Sequence, residues 1–275
     1  MSKNILLLGS NGYLGSKINS QLINSYSVYE LNREEIEGLD FDQGELFFKG
    51  LTFHIFINTI VKYQETNSIP DIIKSNYLLS FEILNKIKKS KDFKIFHFDS
   101  FYSKFQKSNT NSSYLLSKQN LLDWSKIYQK KEKEVTTFVL RLEHVIGFKE
   151  SDKKFNGWLI KKLKNNQSVT LGPCIHSFDF IHIDDVVKAV ILLIETLKFK
   201  NKFNYMEVGS GKSYQLKTFI QKLKLKLNSK SKVTFNKNTH TDLYKNQSSI
   251  ANSKELLDLG WNPKSDLDEI IDLIL

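Results

Sequence analysis

Asn4-Ile5-Leu6-Leu7-Leu8-Gly9-Ser10-Asn11-Gly12-Tyr13-Leu14-Gly15-Ser16 is the stretch on which the reading of the chain turns. Apolar residues from Ile5 to Leu8 run into a glycine cluster, and a helical pattern follows from Tyr13 to Leu22. That succession describes a buried parallel strand turning sharply into a helix. A helix N-terminus presents unpaired N–H groups and a partial positive charge, so a diphosphate fits there when no side chain blocks the backbone. Gly9, Gly12 and Gly15 clear the way: one for the tight turn, one for close approach of phosphate, one for helix-on-strand packing. Asn11, Tyr13 and Leu14 would line the same turn. The spacing, G-x-x-G-x-x-G, is one residue longer at the front than the common dinucleotide fingerprint, and glycine triplets also occur in turns that bind nothing. Context has to separate the two.

The chain has 275 residues, enough for a large core in one elaborate domain or two interleaved ones. Its 40% hydrophobic and 25% charged makeup is that of a soluble globular protein. Cys174 is the single cysteine, so no disulfide forms within the chain and a reducing cytoplasm is the expected setting. The longest apolar run, Ala189 to Ile194, falls far short of the roughly 20 residues that a bilayer needs. Ser2-Lys3-Asn4 leads straight into the first strand, where a signal peptide would need room. Net charge is +10, but the lysines are spread over many helices, as in Lys222-Leu223-Lys224-Leu225-Lys226, and are not interleaved with aromatics on one face. The expected partner is a small anion and not a nucleic acid.

Val28 to Leu31 reads as a second strand ending at Asn32-Arg33. An acid at that place would accept hydrogen bonds from the adenosine 2′-hydroxyl, whereas a basic residue accommodates a 2′-phosphate, so Asn32 and Arg33 favour NADP over NAD. Glu30 argues the other way if the strand ends earlier, which leaves NAD open. Leu39 to Asp42 would end a third strand beside the adenine, with Asp40 and Phe41 at the ring. Phe53 to Val61 is a further buried strand whose end, Asn58, Thr59 and Ile60, should run along the cofactor, with Tyr63 beyond it facing substrate. Ile72, Ile73, Tyr77, Leu78, Phe81, Leu84 and Ile87 have helical spacing within 69–88, and Asn76 lies among them as a buried amide or a polar link. Phe93 to Phe98 is a strand that delivers Asp99 and Ser100 at its carboxyl end, where open parallel sheets hold ligands.

Tyr114 and Lys118, four residues apart at the start of the next helix, share one face. A free phenol ionises near pH 10, too high for proton transfer at neutrality, and a neighbouring ammonium lowers it. Ser100 could hydrogen-bond the substrate oxygen that Tyr114 protonates, and Lys118 could also bind a ribose. Gly209-Ser210-Gly211-Lys212 looks like a triphosphate loop, but such a loop needs glycine at position 206, which is Met. It reads instead as a turn after the strand Asn204 to Val208, leading into a helix from Tyr214 to Leu225. Two short helices should flank Gly260 to Pro263. Six histidines and one cysteine show no metal-ligand spacing.

Taken together, the Gly9 to Gly15 turn, Leu39 to Asp42, Ser100, Tyr114 with Lys118, Arg141 to Gly147, Asp179 to Val186, Gly209 to Lys212 and Lys254 to Pro263 resemble the extended short-chain dehydrogenase/reductases that act on nucleotide sugars. The resemblance covers nearly the whole length. It implies an α/β fold: a doubly wound parallel sheet of the Rossmann type over 1–152 with 177–205 returning to it, and a smaller α+β nucleotide-sugar domain from 153–176 and 206–275. It implies that Tyr114 is the acid/base, Lys118 its helper and ribose ligand, and Ser100 the substrate-oxygen donor. Phe155, Trp158 and Leu171 become candidate base or sugar contacts, and His144 stands where relatives carry a sugar-contacting amide.

Three departures shape the expectation. The interval from Ser100 to Tyr114 is short for the family. Family dehydratases carry an acid pair directly after the Ser/Thr, where this chain has Phe101 and Tyr102. Phe178 replaces the arginine that commonly binds the diphosphate, a charge that His176 or one of Lys153, Lys154, Lys161 and Lys162 would have to supply. Phe96 to Tyr102 and Leu140 to Val145 are most similar to the reductases that make CDP-3,6-dideoxyhexoses. The expected activity is NADPH-dependent reduction of a nucleotide-linked 4-keto-6-deoxy sugar by a cytoplasmic homodimer. A 4-epimerase with tightly held NAD and a non-catalytic dinucleotide sensor are the alternatives.

Overall fold

β1 (Asn4–Leu8) forms where the sequence reading put it, because Ile5 to Leu8 are wholly buried and surrounded on both faces. In this computed structural model, residues 2–32, 35, 48, 50–63, 67–108, 112–148, 150–236 and 248–275 are described, with backbone alone at 106–108. Arg33, Asp40 and Phe41, and the strand expected at Leu39 to Asp42, lie outside the described residues. After β1 come α1 (Tyr13–Leu22), β2 (Ser27–Leu31) and β3 (Thr52–Asn58). The next helical run has three pieces: α2 (Ile69–Ile73), a π-helical turn (Lys74–Leu78) and α3 (Leu79–Lys86). β4 (Lys88–Ser100), a 3-10 turn (Phe101–Ser108), α4 (Ser113–Lys131) and β5 (Thr136–Leu142) follow. Then come β6 (His144–Ile146), α5 (Phe155–Lys164), β7 (Val169–Leu171), β8 (Ser177–His182), α6 (Ile183–Glu195) and β9 (Phe203–Val208). The chain finishes with β10 (Ser213–Gln215), α7 (Leu216–Lys226), β11 (Val233–Phe235), α8 (Lys254–Asp258) and α9 (Leu267–Asp272).

Six strands make one sheet in the order β2-β1-β3-β4-β5-β9, with parallel ladders joining β1 to β2, β1 to β3 and β3 to β4. The strand order reverses direction about β1, the arrangement of a doubly wound sheet. Leu8 stands level with Leu31 and with Asn58, so the glycine turn, Asn32 and Thr59 all emerge at one carboxyl edge. β3 stops at Asn58 and not at Val61, because the Asn58 side chain accepts from the Ile60 N–H (2.9 Å) and bends the backbone out of the ladder. β4 is longer than the expected Phe93 to Phe98, reaching back to Lys88 and forward to Ser100.

The chain divides into two compact units, 1–141 with 190–206, and 142–189 with 207–275. Segments 142–152 and 177–189, expected with the first domain, therefore belong to the second. The reason is pairing: β8 lies between β6 (parallel) and β10 (antiparallel) in a separate sheet. That pairing also delays α7 to Leu216, since Ser213 to Gln215 are held as a strand against Ser177 to Asp179. β7 and β11 form a parallel pair in the same unit, and the two short C-terminal helices flank Gly260 to Pro263 as expected. Among the described residues no helix is long and apolar enough to cross a membrane, and no group of His, Cys, Asp and Glu could hold a metal ion.

Candidate active site

The glycine turn is shaped by close contacts. Gly9 takes a positive φ of 78° and donates its N–H to Leu31 O (2.8 Å), which joins the turn to the end of β2. A Cβ on Gly15 would sit 2.1 Å from Gly9 O and 2.6 Å from Thr59 Oγ1, so no side chain fits where α1 presses on the strand. Gly12 occupies the N-cap of α1 in an extended conformation, no side chain caps the helix, and no acid stands in its first turn. The first N–H groups of α1 are thus offered to an anion, as a dinucleotide diphosphate requires. Thr59 Oγ1 donates to Leu8 O (2.8 Å) and lies 3.1 Å from Gly9 O, so its hydroxyl braces the turn. Asn58 is buried and spends its amide on Ser80 and Ile60 N. Asn32 and Glu35 cap each other, Asn32 N to Glu35 Oε2 (2.7 Å) and Glu35 N to Asn32 Oδ1 (3.0 Å).

Tyr114 and Lys118 occupy the first turns of α4, which begins after Ser112 caps it by accepting from Leu115 N. Lys118 is buried and donates to Phe98 O (2.8 Å) on β4, while its Nζ stands 5.8 Å from the centre of the Tyr114 ring. Burial pulls the Lys118 ammonium down from 10.5 to about 8, and the Asp99 carboxylate opposes part of that shift. A cation of this kind sits close enough to favour the phenolate of Tyr114. Asn76 links three segments. Its Oδ1 accepts from Lys62 N (2.7 Å), and its Nδ2 donates to Lys62 O (3.0 Å) and Ser117 Oγ (2.8 Å). Ser117 Oγ in turn donates to Tyr114 O (2.7 Å). Asn76 lies inside the π-helical turn, a local insertion that no apolar spacing reveals. Tyr63, expected at the substrate, stacks on Tyr114 with ring centres 5.3 Å apart.

Ser100 ends β4, half-buried, with its Oγ 3.4 Å from Tyr102 N. Its neighbour Asp99 is buried and fully engaged: Ser103 Oγ (2.6 Å), Tyr205 OH (2.5 Å) and Arg141 Nε (3.3 Å) all donate to it. The Asp99 cluster ties the ends of β4, β5 and β9 together beneath Ser100, and sequence reading had no long-range signal for it. Phe101 and Tyr102 put two contacting aromatic rings, and no carboxylate, directly after Ser100.

The candidate substrate residues of the second unit fall into two groups. His144 packs against Phe178 (5.3 Å) and Phe180 (5.2 Å). Phe178 is therefore part of an aromatic stack at the place where a diphosphate-binding arginine was expected. Burial, helped by Lys154, pushes the His144 imidazole down to about 4, which keeps it neutral near pH 7. His176 is buried. Phe155 is exposed and Trp158 half-buried beside it, ring centres 6.1 Å apart, and Leu171 is half-buried on β7. Lys161 pairs with Asp152 (2.6 Å) and Lys154 with Glu150 (3.6 Å). Glu143, next to His144, accepts from Ser249 Oγ (2.8 Å).

The Gly209 to Lys212 loop shows why it holds no triphosphate. Its amides already embrace a protein anion: Ser210 N (2.7 Å), Ser210 Oγ (2.6 Å) and Gly211 N (2.9 Å), with Ala251 N (3.0 Å), donate to the Asp179 carboxylate. A Cβ on Gly209 would meet Asp179 and Glu143 within 2.7 Å, so this glycine serves packing.

Known proteins resemble this chain over nearly its whole length. The chain is 29% identical over 98% of its length to CDP-abequose synthase of Salmonella muenchen, 96% of which is covered. It is 24% identical, over 96% of this chain and 95% of the relative, to a putative UDP-glucose 4-epimerase of Methanocaldococcus jannaschii. Among solved structures, the UDP-glucuronic acid 4-epimerase of Bacillus cereus, in complex with UDP-glucuronic acid and NAD, superposes with a TM-score of 0.81 at 16% identity, covering 98% of this chain and 97% of that one. RMD from Pseudomonas aeruginosa, complexed with NADPH, gives 0.79 at 15% identity, covering 100% and 97%. The model of the NAD dependent epimerase/dehydratase family matches residues 5–209, a span that runs from β1 to the Asp179-filled loop, and the chain belongs to that family.

Proposed function

We propose that the protein reduces the 4-keto group of a nucleotide-diphosphate-linked 4-keto-6-deoxy sugar with NADPH. The observation that carries this reading is the Tyr114–Lys118 pair standing on the sheet edge of the glycine turn, with Phe101 and Tyr102 where a dehydratase needs acids. Likeness over nearly full length to CDP-abequose synthase supports the same reading. The chain fits the cofactor: Gly9 and Gly15 let α1 close tightly on the strand, an added Cβ at Gly12 would meet only Gly9 O (3.1 Å), which leaves the mouth of the turn open, and the α1 N-terminus is uncapped. The α1 N–H groups would hold the diphosphate and Lys118 the nicotinamide ribose. NADPH, when bound, supplies the hydride.

The residues of the chain handle the proton. Tyr114 donates its phenolic hydrogen to the oxygen of the carbonyl being reduced, and Ser100 donates a hydrogen bond to the same oxygen. Lys118, an ammonium below about pH 8, stabilises the phenolate left behind. Elimination of water would need a further carboxylic acid beside the sugar. Steady loss of NADPH absorbance on adding CDP- or dTDP-linked 4-keto-6-deoxyglucose tests the reading. Tyr114→Phe should cut that rate by about 10²- to 10⁴-fold with NADPH affinity nearly unchanged. Full activity of the variant would refute the assignment. The family also includes the epimerase fold neighbours, and an epimerase would purify with NAD bound and interconvert UDP-sugars with none added.

We also infer a cytoplasmic homodimer built on α4 and the helical run 69–86, which expose Leu116, Trp124 and Ile127 on the one and Ile69, Ile73 and Leu78 on the other.

A further inference from the structure

Two aromatic rings stand face to face at the start of α4. Tyr63 and Tyr114 have ring centres 5.3 Å apart and planes inclined by 29°. The Tyr63 side of the pair looks to solvent, at 42% exposure, and the Lys118 ammonium lies 5.8 Å from the Tyr114 ring. Tyr114 is the second residue of its helix, so the side chain projects from a helix end where the preceding turn of backbone that would confine its rotamer is missing.

The pair is closed at its base by a single amide. Asn76 holds both the N–H and the carbonyl of Lys62, the residue before Tyr63, and also holds Ser117, whose hydroxyl is bonded to Tyr114 O. On the far side, Asn67 Nδ2 donates to Tyr63 O (2.9 Å). The backbones that carry the two rings are thereby tied through one buried side chain, and the rings meet above that tie. An arrangement of this sort sets a catalytic group before substrate arrives and removes the entropy of ordering it from the reaction.

We propose that Tyr63 is a positioning residue for the reductase: its ring, and not its hydroxyl, holds the Tyr114 phenol in the orientation that faces the carbonyl. The proposal rests on Tyr114 being the proton donor. It deepens that reading by assigning Tyr63 to the acid itself, where the sequence had suggested only contact with substrate. One face of the phenol is sealed from water by Tyr63, so exchange of the ring between rotamers requires the stack to part.

Labelling with 3-fluorotyrosine tests this without turnover. The Tyr114 fluorine resonance is identified by its absence from Tyr114→Phe protein. In the unliganded Tyr63→Ala variant, that resonance should shift and its titration midpoint should move, while Tyr63→Phe should leave the midpoint in place. In turnover, Tyr63→Ala should lower kcat about tenfold, the scale of a lost aromatic stack, with the KM for NADPH within about twofold of the parent. Tyr63→Phe should restore kcat. An unmoved Tyr114 resonance and midpoint in Tyr63→Ala would overturn the proposal, as would a Tyr63→Phe variant as slow as Tyr63→Ala. Failure of the underlying reading has a different signature: Tyr114→Phe would then keep its turnover, whatever the fluorine spectrum shows.

Discussion

Lys118 is the residue whose surroundings are most at odds with its charge. It is buried, its ammonium donates to Phe98 O, and its ionisation falls from 10.5 to about 8. Between these two values the unfolded chain holds a proton that the folded chain has released, so stability rises with pH from about 8 to about 10.5, at up to about 1.4 kcal/mol per pH unit. Lys94, brought down to about 8 by burial, with nearby Lys3 adding to the effect, contributes a second slope of the same sign. Lys118→Met should remove one of the two slopes, raise the melting temperature at pH 7 and abolish turnover. Denaturant titrations across that pH range check it, and an unchanged slope in the variant would show that the lysine is hydrated. For the native enzyme, activity should fall as pH passes about 8 and the cation is lost.

At the scale of elements, the register of α4 against the sheet decides whether Tyr114 and Ser100 can serve one oxygen. Two bonds set it: Lys118 to Phe98 O, and His97 Nδ1 to Ser125 Oγ (2.9 Å), a buried contact between β4 and the same helix. Asn76 adds the link to the helical run beside it. Replacing Asn76 by Ala leaves Lys62 and Ser117 without their shared partner, and should cost about 1–3 kcal/mol of stability and reduce kcat more than it raises the KM for NADPH. Chemical denaturation and steady-state kinetics read both. The apolar spacing from Ile72 to Ile87 made the helix legible, yet not its π-helical turn, because an inserted residue in a helix depends on the partner that rewards it. A further element-level device is the Lys94 ammonium, which caps the end of α6 by donating to Leu193, Ile194 and Thr196 carbonyls, each within 2.9 Å.

For the whole molecule, the exposed apolar residues of α4 and the neighbouring helices are the test of assembly. Trp124 is 51% exposed and Leu116 55% on α4, and Ile69 (63%) and Leu78 (42%) are exposed on the helical run 69–86. Trp124→Glu should convert a dimer to a monomer in sedimentation or light scattering while leaving the fold intact. A parent protein that already sediments as a monomer would remove the basis for the dimer.

Ile5 to Gly15 and the periodic helices were enough to determine the doubly wound sheet with its tight glycine turn, and the Tyr114–Lys118 spacing put those two side chains on one helix face, because each is a short-range pattern in which neighbouring residues share one task. Tertiary structure alone decided the rest. Asp99 became an anchor for Arg141 and Tyr205, Asp179 filled the Gly209 loop, Phe178 joined a stack with His144, and 177–189 went to the second unit through β8 pairing. These outcomes depend on residues between 31 and 106 positions apart in the chain, whose pairing is set by which surfaces packing brings together and leaves no local trace.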